Sequence, residues 1–378
     1  MKKFLTTLAA LTLIAGGFLL AGPQLPGAKA AGGKTYTGMA YVAGMGGHFA
    51  AADLTIDPSS AEPIKVNTLD RIVIGSKDDH AVHDPRIDTD NRNIMYWATY
   101  HKDPNKKLHI GKVDLKTGKV IMDEAVSPDR RATVTAHCYC ASGQSRDCYL
   151  PVTMTDEAYI DVRDKKTMKL LHRVFLDKLG YKDHNYLFFH GTNTPDMKEF
   201  VVAINRMSDG KPNGNVDFVL LDMKSLVKGK IKVLARNTLS GSPGDTITFR
   251  QSFTPDGKYL LQSAGDRFWV IDAKTLKLVD QHMFPATGKA SLKTEPGCPN
   301  GQNHDAIATP DGKYALLTVR VPYPGPGGKL ITDGVVQLYD LQNHKMLGAP
   351  VSVCGGCHYK YGLYFSAALC GIDTNWKK

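Results

Sequence analysis

The sequence predicts an all-β fold, a β-propeller of six or seven four-stranded blades whose ring is closed by pairing N- and C-terminal strands within one blade. Three observations carry this expectation. A tight turn built on Thr-Pro-Asp recurs ahead of apolar, β-branched strands. A second phrase, an apolar strand ending in Asp followed by a polar turn and a further strand, recurs along the whole chain. Long helical periodicity is missing, and four-strand units that cannot bury both faces alone must stack on copies of themselves.

In chain order, residues 1–30 read as a signal peptide. Lys2 and Lys3 lead an almost unbroken apolar run over 4–20, and Pro23 and Pro26 precede the small-residue site Ala28-Lys29-Ala30. The run is too short and wrongly flanked for a stable membrane span, so export, cleavage and a single propeller domain over 31–378 in a bacterial periplasm are expected. LTIDPSSAEPI at Asp57 is the first of the Asp phrases and has no inner strand ahead of it. Asp88-Thr89-Asp90-Asn91 before NIMYWATY is a degenerate turn, followed by VDLKTGKVI at Asp114. VRDKKTMKLL at Asp164 marks the third unit, and Thr194-Pro195-Asp196 with VLLDMKSL at Asp222 the fourth. Thr254-Pro255-Asp256-Gly257 with WVIDAKTLKLV at Asp272 makes the fifth, and Thr309-Pro310-Asp311-Gly312 with VQLYDLQNHKML at Asp340 the sixth. The Pro/Gly-rich VPYPGPGGKLITDG at 321–334 is expected as an insertion between two strands of one blade. After Cys357 the chain begins the inner strand that the first unit lacks, and residues 362–378 leave room for a seventh, irregular blade.

Composition excludes several function classes. The formal charge of +10 falls to about +7 once Lys2, Lys3 and Lys29 leave, and the basic residues are scattered, so nucleic acid is not an expected partner. A basic surface suits solubility or an acidic redox partner equally. The sequence shows no Ser-His-Asp spacing, phosphate-cradling glycine loop or dinucleotide fingerprint.

Five of the 13 histidines share one register. His83, His137, His190, His304 and His358 are each expected just before an innermost strand. Their intervals are 54 from 83 to 137, 53 from 137 to 190, 114 (two units) from 190 to 304, and 54 from 304 to 358. Phe249-Arg250-Gln251 fills the skipped unit. Residues at the same end of every innermost strand converge on one mouth of the central channel, so these histidines are expected there as metal ligands or catalytic groups. A hydrogen-bonded turn role is the plain alternative for any one of them. Asp84 and Asp305 follow ring histidines and are candidate proton donors or imidazole orienters, or turn formers. Arg250 is a candidate for holding an anionic substrate or a haem propionate, or for a salt bridge. His83, Asp84, Asp305 and Arg250 are therefore the catalytic candidates. His80 and His184 are expected in a second layer, and His48, His101, His109, His172, His282 and His344 in surface or turn roles.

The 7 cysteines are Cys138, Cys140, Cys148, Cys298, Cys354, Cys357 and Cys370, and all but Cys370 are expected near that mouth. In an oxidising compartment they end in disulfides, metal sites or haem thioethers, and Cys138–Cys148 is one short closure that the spacing allows. CGGCH at 354–358 matches C-x-x-C-H, the attachment site of haem c, with Cys354 and Cys357 as thioether positions and His358 as axial ligand. His358 is also the last beat of the histidine repeat. A haem c at the mouth, with His358 proximal and His83 or His190 opposite, satisfies both patterns. Copper is the alternative, because converging neutral imidazoles without a carboxylate majority suit copper and exclude magnesium and calcium. Both readings expect an oxidoreductase or electron-transfer protein acting on a small-molecule substrate or a periplasmic electron-transfer partner. A non-catalytic cofactor-binding or assembly scaffold is the third.

Through MAYVAG, TPDGKYL and WVIDAKTLKLV the sequence resembles the YVTN-type periplasmic propellers over most of 31–378. That resemblance implies the fold and says little about chemistry. The histidine ring resembles that of nitrous oxide reductase, whose propeller carries a histidine-ligated copper cluster over its channel. It is also similar to the propeller of cytochrome cd1 nitrite reductase, where a haem sits over the same opening. The sequence shows neither the paired-histidine motif and cupredoxin domain of the first nor the cytochrome domain of the second, so neither reaction carries over.

Overall fold

Residues 34–44, 46–132, 138–154, 157–182, 184–284, 301–324, 330–362 and 371–377 are described by a computed structural model. The expected signal peptide, His137, Cys298 and Cys370 lie outside these residues.

The Asp phrases do their work as side-chain-capped turns. Asp114 Oδ1 accepts from the amides of Lys116 and Thr117, Asp164 from Lys166 and Thr167, Asp272 from Lys274 and Thr275, and Asp340 from Gln342 and Asn343, at 2.7–3.1 Å. The Thr-Pro-Asp turns are closed twice, as at Thr254, whose hydroxyl bonds Asp256 at 2.6 Å and accepts from the Tyr259 amide at 3.0 Å.

Between these turns run six antiparallel four-stranded sheets. The first blade holds β1 (Tyr36–Ala43), β2 (His48–Ile56) and β3 (Ile64–Val73). The second is β4 (Val82–Ile87), β5 (Ile94–Thr99), β6 (Leu108–Asp114) and β7 (Lys119–Val126). The third is β8 (Tyr139–Gln144), β9 (Cys148–Thr153), β10 (Tyr159–Asp164) and β11 (Leu170–Phe175). The fourth is β12 (Tyr186–Asn193), β13 (Glu199–Ser208), β14 (Lys211–Asp222) and β15 (Val233–Ser240), with the single turn α1 (Met223–Leu226) capped by Asp222. The fifth is β16 (Gln251–Phe253), β17 (Tyr259–Ser263), β18 (Arg267–Asp272) and β19 (Leu278–Met283). The sixth is β20 (Gln302–Ala308), β21 (Tyr314–Pro324), β22 (Leu330–Asp340) and β23 (Lys345–Ser352), followed by the short helix α2 (Cys354–Lys360). The last strand, β24 (Ile372–Trp376), pairs with β1 from Gly38↔Trp376 to Val42↔Ile372 and so supplies the missing inner strand of the first blade. The fold is thus an all-β six-bladed propeller closed by its two chain ends, and 321–324 with 330–334 extend the β21–β22 hairpin as expected.

Apolar residues fill the gaps between blades rather than one central core. Six clusters each straddle two neighbouring blades: Trp97 and Met95 meet Phe49 and Tyr41, Trp269 meets Phe218, and Tyr339 meets Phe268. The centre is left to polar side chains, and the channel mouth at the start of the innermost strands is where the site lies. Among the described residues no helix is long and apolar enough to cross a membrane.

One local expectation fails. His358 does not stand at the head of an innermost strand; it lies on α2, and the innermost strand of that blade begins at Ile372. The chain must cross from β23, outermost in the sixth blade, to the centre of the first, and this crossing, 353–371, is far longer than 74–81 between the first two blades. The interval of 54 from His304 therefore lands on the crossing and not on a strand.

Candidate functional site

His83, His190 and His304 sit on β4, β12 and β20, each no more than 1 % exposed. His83 and His304 are both the extra residue of a β-bulge: Val82 and Asp84 pair with Thr99 and Ala98, and Asn303 and Asp305 with Val319 and Thr318. A bulge re-aims a side chain without ending the strand. Here it brings the His83 and His304 rings edge to face, with centroids 6.2 Å apart. Tyr100 closes on His83 from one side at 5.0 Å, and Phe249 lies against His304 at 4.9 Å.

In the third blade the residue that meets His83 is Cys140, whose Sγ lies 3.5 Å from His83 Nδ1. One donor atom each from His83, Asp84 and Cys140 fall within 4.8 Å of one another. Asp84 also accepts from the Ala141 amide at 3.2 Å and pairs with Arg250. Arg250, 1 % exposed, has Asp305 on its other side, with Nε 3.9 Å from Oδ2. Asp305 in turn accepts from the amides of Ala306 and Ile372 at 2.8 and 2.9 Å, which ties the closing strand to the site. Gly371 is required at this seam, because a Cβ there would come 2.7 Å from Asp84 Oδ1. Arg250 is thus flanked by two carboxylates, while its Nη1 and Nη2 make no hydrogen bond among the described residues.

The electrostatics favour neutral rings. Burial, reinforced by Arg250, His190 and Arg320, holds His83 well below the usual imidazole range. His304 is lowered by burial, then by Arg320 and the two other histidines, and His190 is pushed down to about 3 by burial and Arg320. Burial raises the Cys140 thiol well above its usual value and also raises Asp305. Several polar atoms are left over. Both ring nitrogens of His190, Nδ1 of His304 and Oδ1 of Asp84 are buried and have no hydrogen-bond partner among the described residues.

Other expectations are redistributed. Cys148 lies at the opposite end of the β8–β9 hairpin from Cys138, across six residues of strand or about 20 Å. The closure Cys138–Cys148 and a place for Cys148 at the mouth are both excluded. Cys357 is fully buried in the apolar cluster between the sixth and first blades, its Sγ 3.8 Å from the Asp70 carbonyl on β3. Since β3 is the outermost strand, α2 packs about three strand spacings, or about 14 Å, from the innermost strand of that blade. His80 is not beneath the ring, since its imidazole faces His109 and Asp123 on the outer strands of the second blade. His109 is buried on β6 rather than at the surface. His184 is exposed in the turn before β12. Arg320, on the second strand of the sixth blade, is a site residue that sequence reading missed, because no repeat position marks it.

The far end of the channel opens into a cavity of about 170 Å³ lined by Arg86, Gln144, Asn193 and Asp373 among others.

No protein-family model matches the sequence, and no curated protein matches it. Among solved structures the chain is similar to the β-propeller domain of Cps50 (Swd1) from Myceliophteria thermophila, at TM-score 0.40 and 11% identity over 72% of this chain and 87% of that one. It is similar to the dihydro-heme d1 dehydrogenase NirN in complex with DHE, at 0.38 and 13% over 89% and 77%. It is similar also to the hydrazine synthase of Kuenenia stuttgartiensis, at 0.42 and 13% over 78% and 96%.

Proposed function

We propose that the chain is an exported redox protein whose transition-metal centre is held at the channel mouth by His83, Cys140, His190 and His304, with copper the ion that this donor set suits best. The observation that carries the reading is the group of unpartnered buried nitrogens around the His83–Cys140 contact. Buried polar atoms almost always find partners, and a metal ion would supply them. Neutral imidazoles with one thiol are the donors that copper prefers, and the rings are already in the deprotonated form that ligation needs. Asp84 and Asp305 balance the charge of Arg250 and keep the cluster from repelling a cation. The partner of such a centre is a small molecule or a periplasmic electron-transfer protein.

The test is metal analysis and electron paramagnetic resonance on untagged mature protein loaded with copper, beside Cys140→Ser and His190→Ala. One copper per chain with a reducible signal, lost in both variants, is the expected result. Binding of redox-inert zinc alone would favour the scaffold reading, and absence of any bound metal would overturn the proposal.

Covalent haem c at CGGCH is the second reading, favoured by one observation. Cys354, Cys357 and His358 stand at i, i+3 and i+4 of α2. The burial of Cys357 means that attachment requires α2 to lift from β3. Haem that stays on the chain in a denaturing gel, and is lost in Cys357→Ala, would support this reading. A haem-free protein from a host that matures cytochromes c would remove it.

A further inference from the structure

A second cluster of metal-ligating side chains lies outside the channel, on the flank of the second blade. His109 projects from β6, Asp123 from the neighbouring outermost strand β7, and His80 from the turn that leads into β4. Asp123 stands between the two rings, with Oδ1 2.8 Å from His109 Nδ1 and Oδ2 2.8 Å from His80 Nε2. The rings face each other with centroids 4.3 Å apart. One nitrogen from each ring and one carboxylate oxygen fall within 4.8 Å of one another.

The far nitrogens of both rings also have a carboxylate nearby, although His80 Nδ1 makes no hydrogen bond among the described residues. His80 Nδ1 lies 3.0 Å from Asp79, and His109 Nε2 lies 3.5 Å from Asp103. Asp79 is fixed by the amide and hydroxyl of Ser76 at 2.7 Å each, and Asp103 by the Lys107 amide at 2.7 Å. Gly75 makes room for the His80 ring, since a Cβ there would come 2.5 Å from Nδ1. Each imidazole thus has a carboxylate beside its far nitrogen, and for His109 this is the arrangement that sets the tautomer and orientation of a metal-bound histidine. The histidines are largely buried while Asp123 is about one-third exposed, which leaves an open side for water ligands.

We propose that His80, His109 and Asp123 bind a divalent cation of the zinc class, with water filling the remaining positions. Two imidazoles and one carboxylate suit zinc and its transition-metal neighbours, whereas calcium and magnesium require an all-oxygen set. The blade pairing of β6 with β7 fixes two of the ligands before any ion arrives, and the Ser76–Asp79 turn fixes the third. The site is separate from the channel cluster and its proposal does not rest on the redox reading.

The test is zinc titration of the untagged mature chain by calorimetry, repeated with cobalt to read the ligand set from its visible spectrum. Asp123→Asn and His109→Gln keep the shape of the cluster and should each remove one equivalent of zinc, while Asp103→Asn should weaken it about 10–100-fold. His83→Gln should leave that equivalent in place. Unchanged zinc uptake in Asp123→Asn and His109→Gln, with both variants melting as the parent does, would overturn the proposal. So would loss of the ion in His83→Gln alone, which would put it in the channel.

Discussion

Replacing Arg250 by Met tests the electrostatic frame of the channel mouth. The guanidinium is 1 % exposed and stands between Asp84, itself fully buried, and Asp305, 2 % exposed. Met retains much of the volume and removes the charge, leaving two buried carboxylates with three backbone amides and the neutral His83 ring beside them among the described residues. Breaking a buried pair by removing one partner costs about 3–5 kcal/mol. With unfolding entropy near 2.1 cal/mol/K per residue, a propeller of this size loses about 1.4 °C per kcal/mol, so Tm should fall by roughly 4–7 °C. The loss depends on pH. Asp305 already has a raised pKa from burial, and Arg250 is the first influence that lowers it. Without Arg250 the folded pKa rises further, so the folded state binds a proton that the unfolded state has given up. The extra destabilisation is therefore small near pH 4 and grows as pH rises above the ordinary aspartate range. Melting curves from pH 4 to 8, for Arg250→Met with and without Asp84→Asn, read both effects. The double variant should recover part of the loss, because it removes one of the stranded charges. A Tm change under 2 °C that is flat across pH would refute the argument and make Arg250 a ligand-facing group instead.

Three further outcomes follow from the same geometry. His190→Leu should raise the stability of the metal-free protein by about 1–3 kcal/mol, since neither ring nitrogen has a partner, while abolishing metal uptake at the mouth; a destabilised variant would show that the ring is already bonded. The metal-free protein should lose stability as pH falls from about 6.5 toward about 3, because the unfolded state protonates histidines that the folded state keeps neutral. The slope is about 1.4 kcal/mol per pH unit for each of His83, His190 and His304, and urea midpoints at pH 7, 6 and 5 measure it. Gly111→Ala places a Cβ against Trp97 Cζ2 and the Met122 carbonyl, so it should cost about 1–3 kcal/mol in thermal unfolding with the channel chemistry unchanged.

The fold was legible because its punctuation is local. Each Asp phrase closes its own turn with hydrogen bonds from amides two or three residues ahead, so Asp57, Asp114, Asp164, Asp222, Asp272 and Asp340 mark third-to-fourth-strand turns whatever surrounds them. Closure was legible for the same reason, since one Asp phrase came without its inner strand and one inner strand came without its phrase. The strand pairings then leave little freedom, and the interblade clusters follow from alternation along strands already in register.

The site was legible only where function follows the repeat. His83, His190, His304 and Arg250 fall within one residue of corresponding points at or beside their innermost strands, His83 and His304 as the bulged residues, and period alone brought them together. Period failed at His358, because spacing from the previous histidine does not record how far the chain must travel before it re-enters the ring. A repeat position is defined by the strand it heads, and α2 heads none. Cys140 was missed as the neighbour of His83 because the third blade places a thiol, not an imidazole, against that ring. The cluster of His80, His109 and Asp123 could not be found by period at all. Its members come from a connecting turn, a third strand and an outermost strand of one blade, positions where the other blades carry unrelated residues. A constellation confined to one blade leaves no echo in the remaining five, so only the pairing of β6 with β7 reveals it.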